Sequence, residues 1–573
     1  MDKPWLKSYD EGIPASIDYP ATTIDSFLNS SAKDFPDRDA LIFGARVGSR
    51  LMDARMTYSE LNDYVDRFAA GLQKMAVKKG DRVAVMLPNC PQFVIAAYAV
   101  WRIGGVVVCC NPLYMPREIE HLVRDSGTET FIVMSSLYGR LKEIRKGGPI
   151  RQVIVTNIKE YFPGFLKFLF TLTKEKKEGH RLDIKGEGST SWFQDVFAER
   201  GAKPSRVEVG PDDASTLIYT GGTTGKPKGA QHTHRSQVFN SVALNVWARS
   251  KRAQEVMLAV MPFFHIYGLA VVLNTTITGA LTAVLIPNPR DMLHVLKAIE
   301  KYKVTYYLGV PPMFVGFNNH PDVGKYDLSS LRFAASAAAP LAPEVQERFE
   351  AITGGKMVEA YGLTETIAAT MDPVDHARPG SIGVPLPDTD VRVVDMETGT
   401  KEMPSGELGE IVIKGPQVMK GYWNMKDGGS GLRIGPDGEA GWFFTGDIGT
   451  MDTDGFFRIA DRKKDIVISG GYNVYPTEVE AVLFEYPKVL EAAVIGIPDE
   501  RRGEAVKAFV VAKAGKTVTQ DEIIAFCRKE LAAYKVPREV EFRAELPKSI
   551  IGKVLRRQLR EEDSAMRKTA VTA

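Results

Sequence analysis

The sequence predicts an α/β protein. A large N-terminal domain of βαβ layers carries a β-rich subdomain, and a small α+β domain follows at the C-terminal end. Three observations carry this reading. Short apolar runs alternate with helical patterns over most of the length. From about residue 380 glycine and proline become frequent and short strands dominate. After the charged run Asp461-Arg462-Lys463-Lys464-Asp465 the pattern changes once more. A chain of 573 residues also exceeds what one hydrophobic core organises, so two or more domains are expected.

The elements follow in order. Residues 82–87 read as a buried strand, 90–102 as a helix, 105–110 as a strand, 116–125 as a helix and 129–134 as a strand. This is the rhythm of a parallel sheet covered by helices. The β-rich stretch of about 380–460 contains strands near 391–394 and 410–414. The last 110 or so residues read as helix 477–486, strands 492–497 and 506–511, helix 519–531 and strand 539–542, a plausible independent unit. The expected division is 1–460, a hinge at 461–465, and 466–573. A charge run between two composition regimes fits a hinge, so the small domain is expected to be mobile; a solvated turn is the plainer reading.

Composition is globular, with 44% hydrophobic and 25% charged residues. The 73 basic and 71 acidic residues leave a net charge of +2, which gives no reason to expect nucleic acid as a partner. Four cysteines in such a chain do not make a disulfide framework, and no Cys/His cluster has zinc spacing. Cys109 and Cys110 fall in an apolar run and are expected to pack as small hydrophobes. The opening Met-Asp-Lys-Pro-Trp lacks the apolar core of a signal peptide, so a cytoplasmic location is expected.

Two segments raise a membrane question. Residues 266–287 carry no charge for 22 positions, long enough to span a bilayer. They include Asn274, four threonines, two glycines and Pro287, so a buried helix followed by a core strand at 280–286 is expected. In 161–177, Phe162, Phe165, Leu166, Leu169 and Leu172 fall at helical spacing before Lys174, Lys176 and Lys177. That pattern fits an interfacial helix at the inner membrane face, or a helix packed on the protein's own surface.

The densest chemical signal is Leu217-Ile-Tyr-Thr220-Gly221-Gly222-Thr223-Thr224-Gly225-Lys226-Pro227-Lys228-Gly229. Glycines let backbone N–H groups approach an anion closely, threonines add donors, and lysines add charge. Such a loop suits a nucleotide triphosphate, although it lacks the spacing of the common phosphate loop. Four further segments carry reactive groups. Pro262-Phe-Phe-His265-Ile-Tyr-Gly268 sets a histidine among aromatics, either a core residue or a catalyst. Tyr361-Gly-Leu-Thr364-Glu365-Thr366 offers a ring, hydroxyls and a carboxylate. Gly441-Trp-Phe-Phe-Thr445-Gly446-Asp447 puts an acid after a tight turn, where it can accept from ribose hydroxyls. Pro547-Lys-Ser-Ile-Ile-Gly552-Lys553 is a glycine-tipped loop ending in a lysine.

Together these five segments resemble the adenylate-forming superfamily, which includes acyl-CoA synthetases, luciferases and peptide-synthetase adenylation domains. The resemblance runs from about residue 20 to 565 in the family's motif order. Pro112-Leu-Tyr-Met-Pro-Arg-Glu, the charged run at 461–465, Gly471-Tyr-Asn-Val-Tyr-Pro and Tyr534-Lys-Val-Pro look closer still to bacterial long-chain fatty-acid–CoA ligases.

The resemblance implies ATP-dependent ligation of a medium- or long-chain fatty acid to coenzyme A through an acyl-adenylate. Thr220, Gly221, Gly222, Thr223, Thr224, Gly225 and Lys228 would cradle the phosphates. Thr220 and Glu365 would hold Mg²⁺. Tyr361 would stack near the adenine, Thr364 would contact the α-phosphate, and Asp447 would take the ribose with Arg462 nearby. Lys553 matches the adenylating lysine and Lys464 the hinge position. Gly470 and Gly471 would let the pantetheine arm pass. His265 completes the candidate catalytic set with Lys553, Thr364 and Glu365. Expected partners are the fatty acid, ATP and coenzyme A, with a homodimer as the assembly.

The sequence departs from the commoner family pattern in places. Gly221 stands where many members have serine, Glu359 and Ala360 precede Tyr361 in place of Gln-Gly, and Ser336-Ala-Ala-Ala339-Pro340 replaces a glycine-rich form. The methyls at Ala337 and Ala338 narrow whatever they line. Loading of an acyl or aryl acid onto a carrier-protein thiol is the alternative within the superfamily. A fatty-acid binder without activity would have no need of Thr364, Glu365, Asp447 and Lys553. Light-emitting oxidation shares the motifs, and nothing else in the sequence favours it.

Overall fold

The alternation expected over 82–134 is realised as strand Arg82–Met86, helix Pro91–Arg102, strand Val106–Cys109, helix Pro116–Ser126 and strand Thr130–Met134. The structure, a computed structural model, describes residues 2–145, 147–220, 227–425, 431–499, 501–549 and 552–572. The strands are continuous apolar runs because both sheet faces are covered. Helix Pro91–Arg102 is apolar on nearly every side and correspondingly buried. The chain divides into two compact units: Leu6–Asp390 with Ile413–Arg433, and Met1–Trp5 with Val391–Val412 and Ile434–Ala573.

The larger unit holds two sheets. In the first, the order is Gly421–Tyr422, Lys228–Thr233, Ala214–Thr220, Val106–Cys109, Arg82–Met86, Thr130–Met134, Gln152–Thr156, Thr190–Trp192. Ala214–Thr220 runs parallel to Val106–Cys109, and Lys228–Thr233 turns back antiparallel with Thr220 opposite Lys228. The glycine- and threonine-rich loop therefore joins the two strands of a hairpin at the sheet. Its residues 221–226, and with them the readings for Gly221, Gly222, Thr223, Thr224 and Gly225, lie outside the described residues. In the second sheet, parallel strands Thr282–Leu285, Val256–Ala259, Tyr306–Gly309, Phe333–Ser336 and Lys356–Leu363 lead to the antiparallel strand Ile367–Met371.

The charge-free run 266–287 lies inside this unit. A wide π-type helical stretch, Tyr267–Asn274, continues as helix Thr275–Thr278 and then strand Thr282–Leu285, and nearly all of it is buried. Buried polar partners account for its threonines and asparagine. Tyr98 Oη donates to Asn274 Oδ1 at 3.0 Å, and Thr276 Oγ1 donates to the Val272 carbonyl at 2.7 Å. Among the described residues no helix is long and apolar enough to cross a membrane.

Helix Gly164–Thr173 corrects the face expected from spacing. Leu166 and Phe170 point inward, where Phe170 meets the rings of Phe162 and His180. Phe165, Phe168 and Leu172 point outward at 60–68% exposure. Spacing alone placed Leu166 with Phe165; packing of Phe170 against Phe162 and His180 turns the Leu166–Phe170 side inward and leaves Phe165 outside. All four cysteines are free and buried, and burial raises the Cys109 and Cys110 thiols, as small core hydrophobes require.

In the smaller unit, strand Trp442–Met451 pairs antiparallel with Phe457–Arg462. A further sheet orders Tyr472–Val474, Val467–Ser469, Gly503–Ala512 and Val489–Asp499, with Glu539–Phe542 parallel to Gly503–Ala512. Helices Pro476–Glu485 and Gln520–Glu530 cover one face through Val479, Leu483 and Ile523. The other face buries Ile495 and Phe509 with Leu559 of helix Arg556–Thr572, an element the sequence reading did not include. That helix is strongly polar; ion pairs such as Lys507–Asp563 at 2.6 Å seat it on the sheet.

Candidate active site

In the larger unit the candidate residues gather around the hairpin. Thr364, Glu365 and Thr366 form the turn between strands Lys356–Leu363 and Ile367–Met371. The turn is tight. A Cβ on Gly362 would lie 1.7 Å from the Ile367 carbonyl oxygen, so only glycine fits there. Ile367 itself is held at φ 52°, a left-handed conformation that a β-branched side chain resists. Strain of this kind costs about 1–3 kcal/mol and persists where surrounding contacts impose it.

Those contacts are present. His232 Nε2 hydrogen-bonds the Thr364 carbonyl at 2.7 Å, tying the turn to the hairpin. Burial pushes the His232 imidazole down to about 4, so it serves this bond as a neutral ring N–H donor. Glu365 is 8% exposed and accepts from the Tyr422 hydroxyl at 2.6 Å. Lys228 lies with its ammonium 5.0 Å from the Tyr422 ring centre. Lys228 and Glu365 are thus linked through one tyrosine that no sequence motif singled out, and Thr220 sits opposite Lys228 in the hairpin. Tyr361 is buried on the same strand as the turn, opposite Thr370.

The carboxylate of Glu365 and the hydroxyl of Thr220 are oxygen donors of the kind Mg²⁺ accepts together with substrate phosphates. Among the described residues no three His, Cys, Asp or Glu side chains cluster as a self-sufficient metal site. An ion held partly by nucleotide phosphates fits that donor set.

His265 opens the π-type stretch. Its Nδ1 accepts from the Tyr267 N–H at 3.3 Å, and burial pushes the imidazole down to about 4. The ring is therefore neutral at physiological pH and held by the Tyr267 N–H.

Ala338 is held at φ 71° just beyond strand Phe333–Ser336. This is the stretch where a glycine-rich version would have been unstrained. Ala338→Gly is therefore expected to raise stability by roughly 1 kcal/mol. A denaturant midpoint that stays level or falls would contradict the strain.

The smaller unit holds the second group. Asp447 faces Arg462 across the strand pair, with Nε to Oδ1 at 2.7 Å. The preceding turn is fixed: Thr445 Oγ1 donates to the Ile411 carbonyl at 2.7 Å, and the Gly446 N–H donates to Glu410 at 3.1 Å. Lys553 ends a loop closed by the Ser549 N–H on its carbonyl at 2.8 Å and by its own N–H on Ser549 Oγ at 3.1 Å. The residue as a whole is exposed, yet its ammonium lies in crowded surroundings. Desolvation there, then repulsion from Arg462, pushes it down to about 8, with Asp447 opposing. Lys464 is pushed down to about 8 by the same two causes in the same order. Lys553, Asp447, Arg462 and Lys464 therefore share one electrostatic neighbourhood.

Gly470 and Gly471 are left-handed at φ 62° and 84°, and a Cβ on either would meet open space. A flexible chain could pass their backbone closely. Arg556, three residues after Lys553, was missed by sequence reasoning. It reaches Glu480 at 2.6 Å and Asp465 at 3.4 Å, anchoring the lysine loop to the charged turn. Nothing in its local sequence marks it, since the partners lie 76 and 91 positions away.

The family described as AMP-binding enzyme matches residues 28–423, and the AMP-binding enzyme C-terminal domain matches 478–553. The long-chain-fatty-acid–CoA ligase of Bacillus subtilis is 42% identical over 572 residues, covering 98% of each chain. The ligase of the same name from Escherichia coli O157:H7 is 36% identical, again over 98% of each. Among solved structures, ATP-bound MatB from Rhodopseudomonas palustris superposes with a TM-score of 0.80 at 30% identity, covering 94% of this chain and 99% of that one. The o-succinylbenzoate CoA synthetase of Bacillus subtilis, in complex with ATP and magnesium ion, gives 0.74 at 28% identity, covering 93% and 99%. The α/β fold and the motif order agree with these matches, and the chain belongs to the AMP-binding enzyme family.

Proposed function

We propose that the protein is an AMP-forming acyl-CoA synthetase that joins a medium- or long-chain fatty acid to coenzyme A through an acyl-adenylate. The observation that carries this is full-length likeness to curated long-chain-fatty-acid–CoA ligases at 36–42% identity. The named candidate residues support it, because a carboxylate is activated by in-line attack on the α-phosphate, which needs positioning and charge neutralisation.

In this reading Lys228 and the loop after Thr220 bind the triphosphate. Thr364 contacts the α-phosphate, Tyr361 lies along the adenine, and Asp447 accepts from the ribose hydroxyls while Arg462 holds its carboxylate in place. Glu365 and Thr220 would hold Mg²⁺, which supplies charge neutralisation on the phosphates when bound. Lys553 bridges the substrate carboxylate and α-phosphate as charge shifts between them. The turn at 461–465, with Lys464, acts as the hinge that lets the lysine serve adenylation and then withdraw. The coenzyme A thiol then attacks the acyl carbon, the bond from acyl carbon to adenylate oxygen breaks, and AMP leaves. Gly470 and Gly471 line the pantetheine path.

Pyrophosphate release across a panel of carboxylic acids, with and without coenzyme A, tests the whole reading. Thioester formation with medium- and long-chain fatty acids is expected. Adenylate formation with no coenzyme A use would point instead to a carrier-protein thiol.

A second reading concerns location. Peripheral contact with the inner face of a membrane through 161–177 is favoured by one observation: Phe165, Phe168 and Leu172 stand outward on one side of the helix, ahead of exposed Lys174, Lys176 and Lys177. Replacing the three apolar residues by alanine is expected to cut co-sedimentation with anionic vesicles at least several-fold, with turnover of a water-soluble short acid retained. Undiminished sedimentation would remove this reading.

A further inference from the structure

The two-residue strand Gly421–Tyr422 adds to the edge of the phosphate hairpin, with Tyr422 opposite Ala230. Lys228 lies two positions before Ala230, so it shares that sheet face and is a diagonal neighbour of Tyr422. This register explains why the ammonium lies 5.0 Å from the ring centre, within the range of a cation–π contact. The hydroxyl of the same side chain points the other way and donates to Glu365 Oε1 at 2.6 Å. The segment also grips the Glu365 main chain, where the Met419 N–H donates to its carbonyl at 2.7 Å. Among the described residues Glu365 Oε2 makes no hydrogen bond.

We propose that Tyr422 is a positioning residue with two separable parts: its ring holds the Lys228 ammonium, and its hydroxyl orients the Glu365 carboxylate. One side chain then sets both the cation that meets the ATP phosphates and the carboxylate that meets the metal. This rests on the nucleotide reading of the hairpin given above. The physical gain is coupling. Lysine and glutamate side chains each lose rotamer freedom only once, against a single rigid ring.

The experiment titrates a fluorescent ATP analogue into the full-length protein at Mg²⁺ concentrations from zero upward, for wild type, Y422F and Y422L. Y422F keeps the ring. Its metal-free nucleotide affinity should stay within about twofold of wild type, while the Mg²⁺ midpoint rises by roughly tenfold, as for a lost hydrogen bond to a charged group. Y422L should show the same metal shift and also weaken metal-free binding by about fivefold, as for a lost cation–π contact. If Y422L does not fold, Y422M repeats that arm with an unbranched chain.

Melting temperatures are recorded beside each titration. A role in packing alone would lower them and leave the Mg²⁺ midpoint where it was. A wild-type midpoint in Y422F, or wild-type metal-free affinity in Y422L, overturns the proposal. Absence of Mg²⁺-dependent nucleotide binding in the wild type overturns the nucleotide reading as well, so the two failures are told apart.

Discussion

Replacing Lys553 by alanine is expected to slow acyl-adenylate formation by roughly 10²–10³, as for the loss of one preorganised charge. Thioester formation from supplied acyl-adenylate should remain largely intact, because that step needs the thiol and not this ammonium. The two half-reactions are measured separately, as acid-dependent pyrophosphate exchange and as conversion of synthetic acyl-adenylate. Equal loss of both would show that the substitution damages the fold instead. The pH profile gives an independent check. Lys553 is pushed down to about 8, so the working cation is present below that pH and is lost as pH rises through it. Adenylation by the wild type should therefore decline above about pH 8, while the thiolation half-reaction should not share that limb.

Asp447→Ala is expected to raise the KM for ATP by roughly 10- to 100-fold, the cost of hydrogen bonds to a charged acceptor. The side chain is only 3% exposed and is held by Arg462 at 2.7 Å, so its carboxylate is fixed before any ligand arrives. Its loss also leaves Arg462 without that partner, and the unfolding midpoint should fall modestly. Asp447→Asn keeps an acceptor and should give an intermediate KM. An unchanged KM for ATP in both variants would place the ribose elsewhere.

Much of the architecture was legible because it rests on local pattern. The apolar runs at 82–87, 105–110 and 129–134 became adjacent strands because nothing but a doubly covered parallel sheet buries both faces of such runs. The charge-free 266–287 run was separable from a membrane span by its threonines and Asn274, which found buried partners. The polar helix Arg556–Thr572 was not legible, since ion pairs to distant strands hold it and its own sequence lacks a strong apolar stripe. The outward face of Gly164–Thr173 was misjudged for a related reason: spacing names two candidate faces, and the neighbours Phe162 and His180 choose between them.

From sequence alone came the α/β class, the chemistry of each motif and the residues able to carry it, because glycine-rich loops, isolated lysines and acids after tight turns declare themselves within a few positions. Only the tertiary structure decided how those groups are wired to one another. It placed Tyr422 between Lys228 and Glu365, set Arg462 against Asp447, and tied Arg556 to Asp465. The partners in these pairs lie up to 194 positions apart (422 minus 228). Strand register and packing, which no local window contains, bring them within hydrogen-bonding or electrostatic reach.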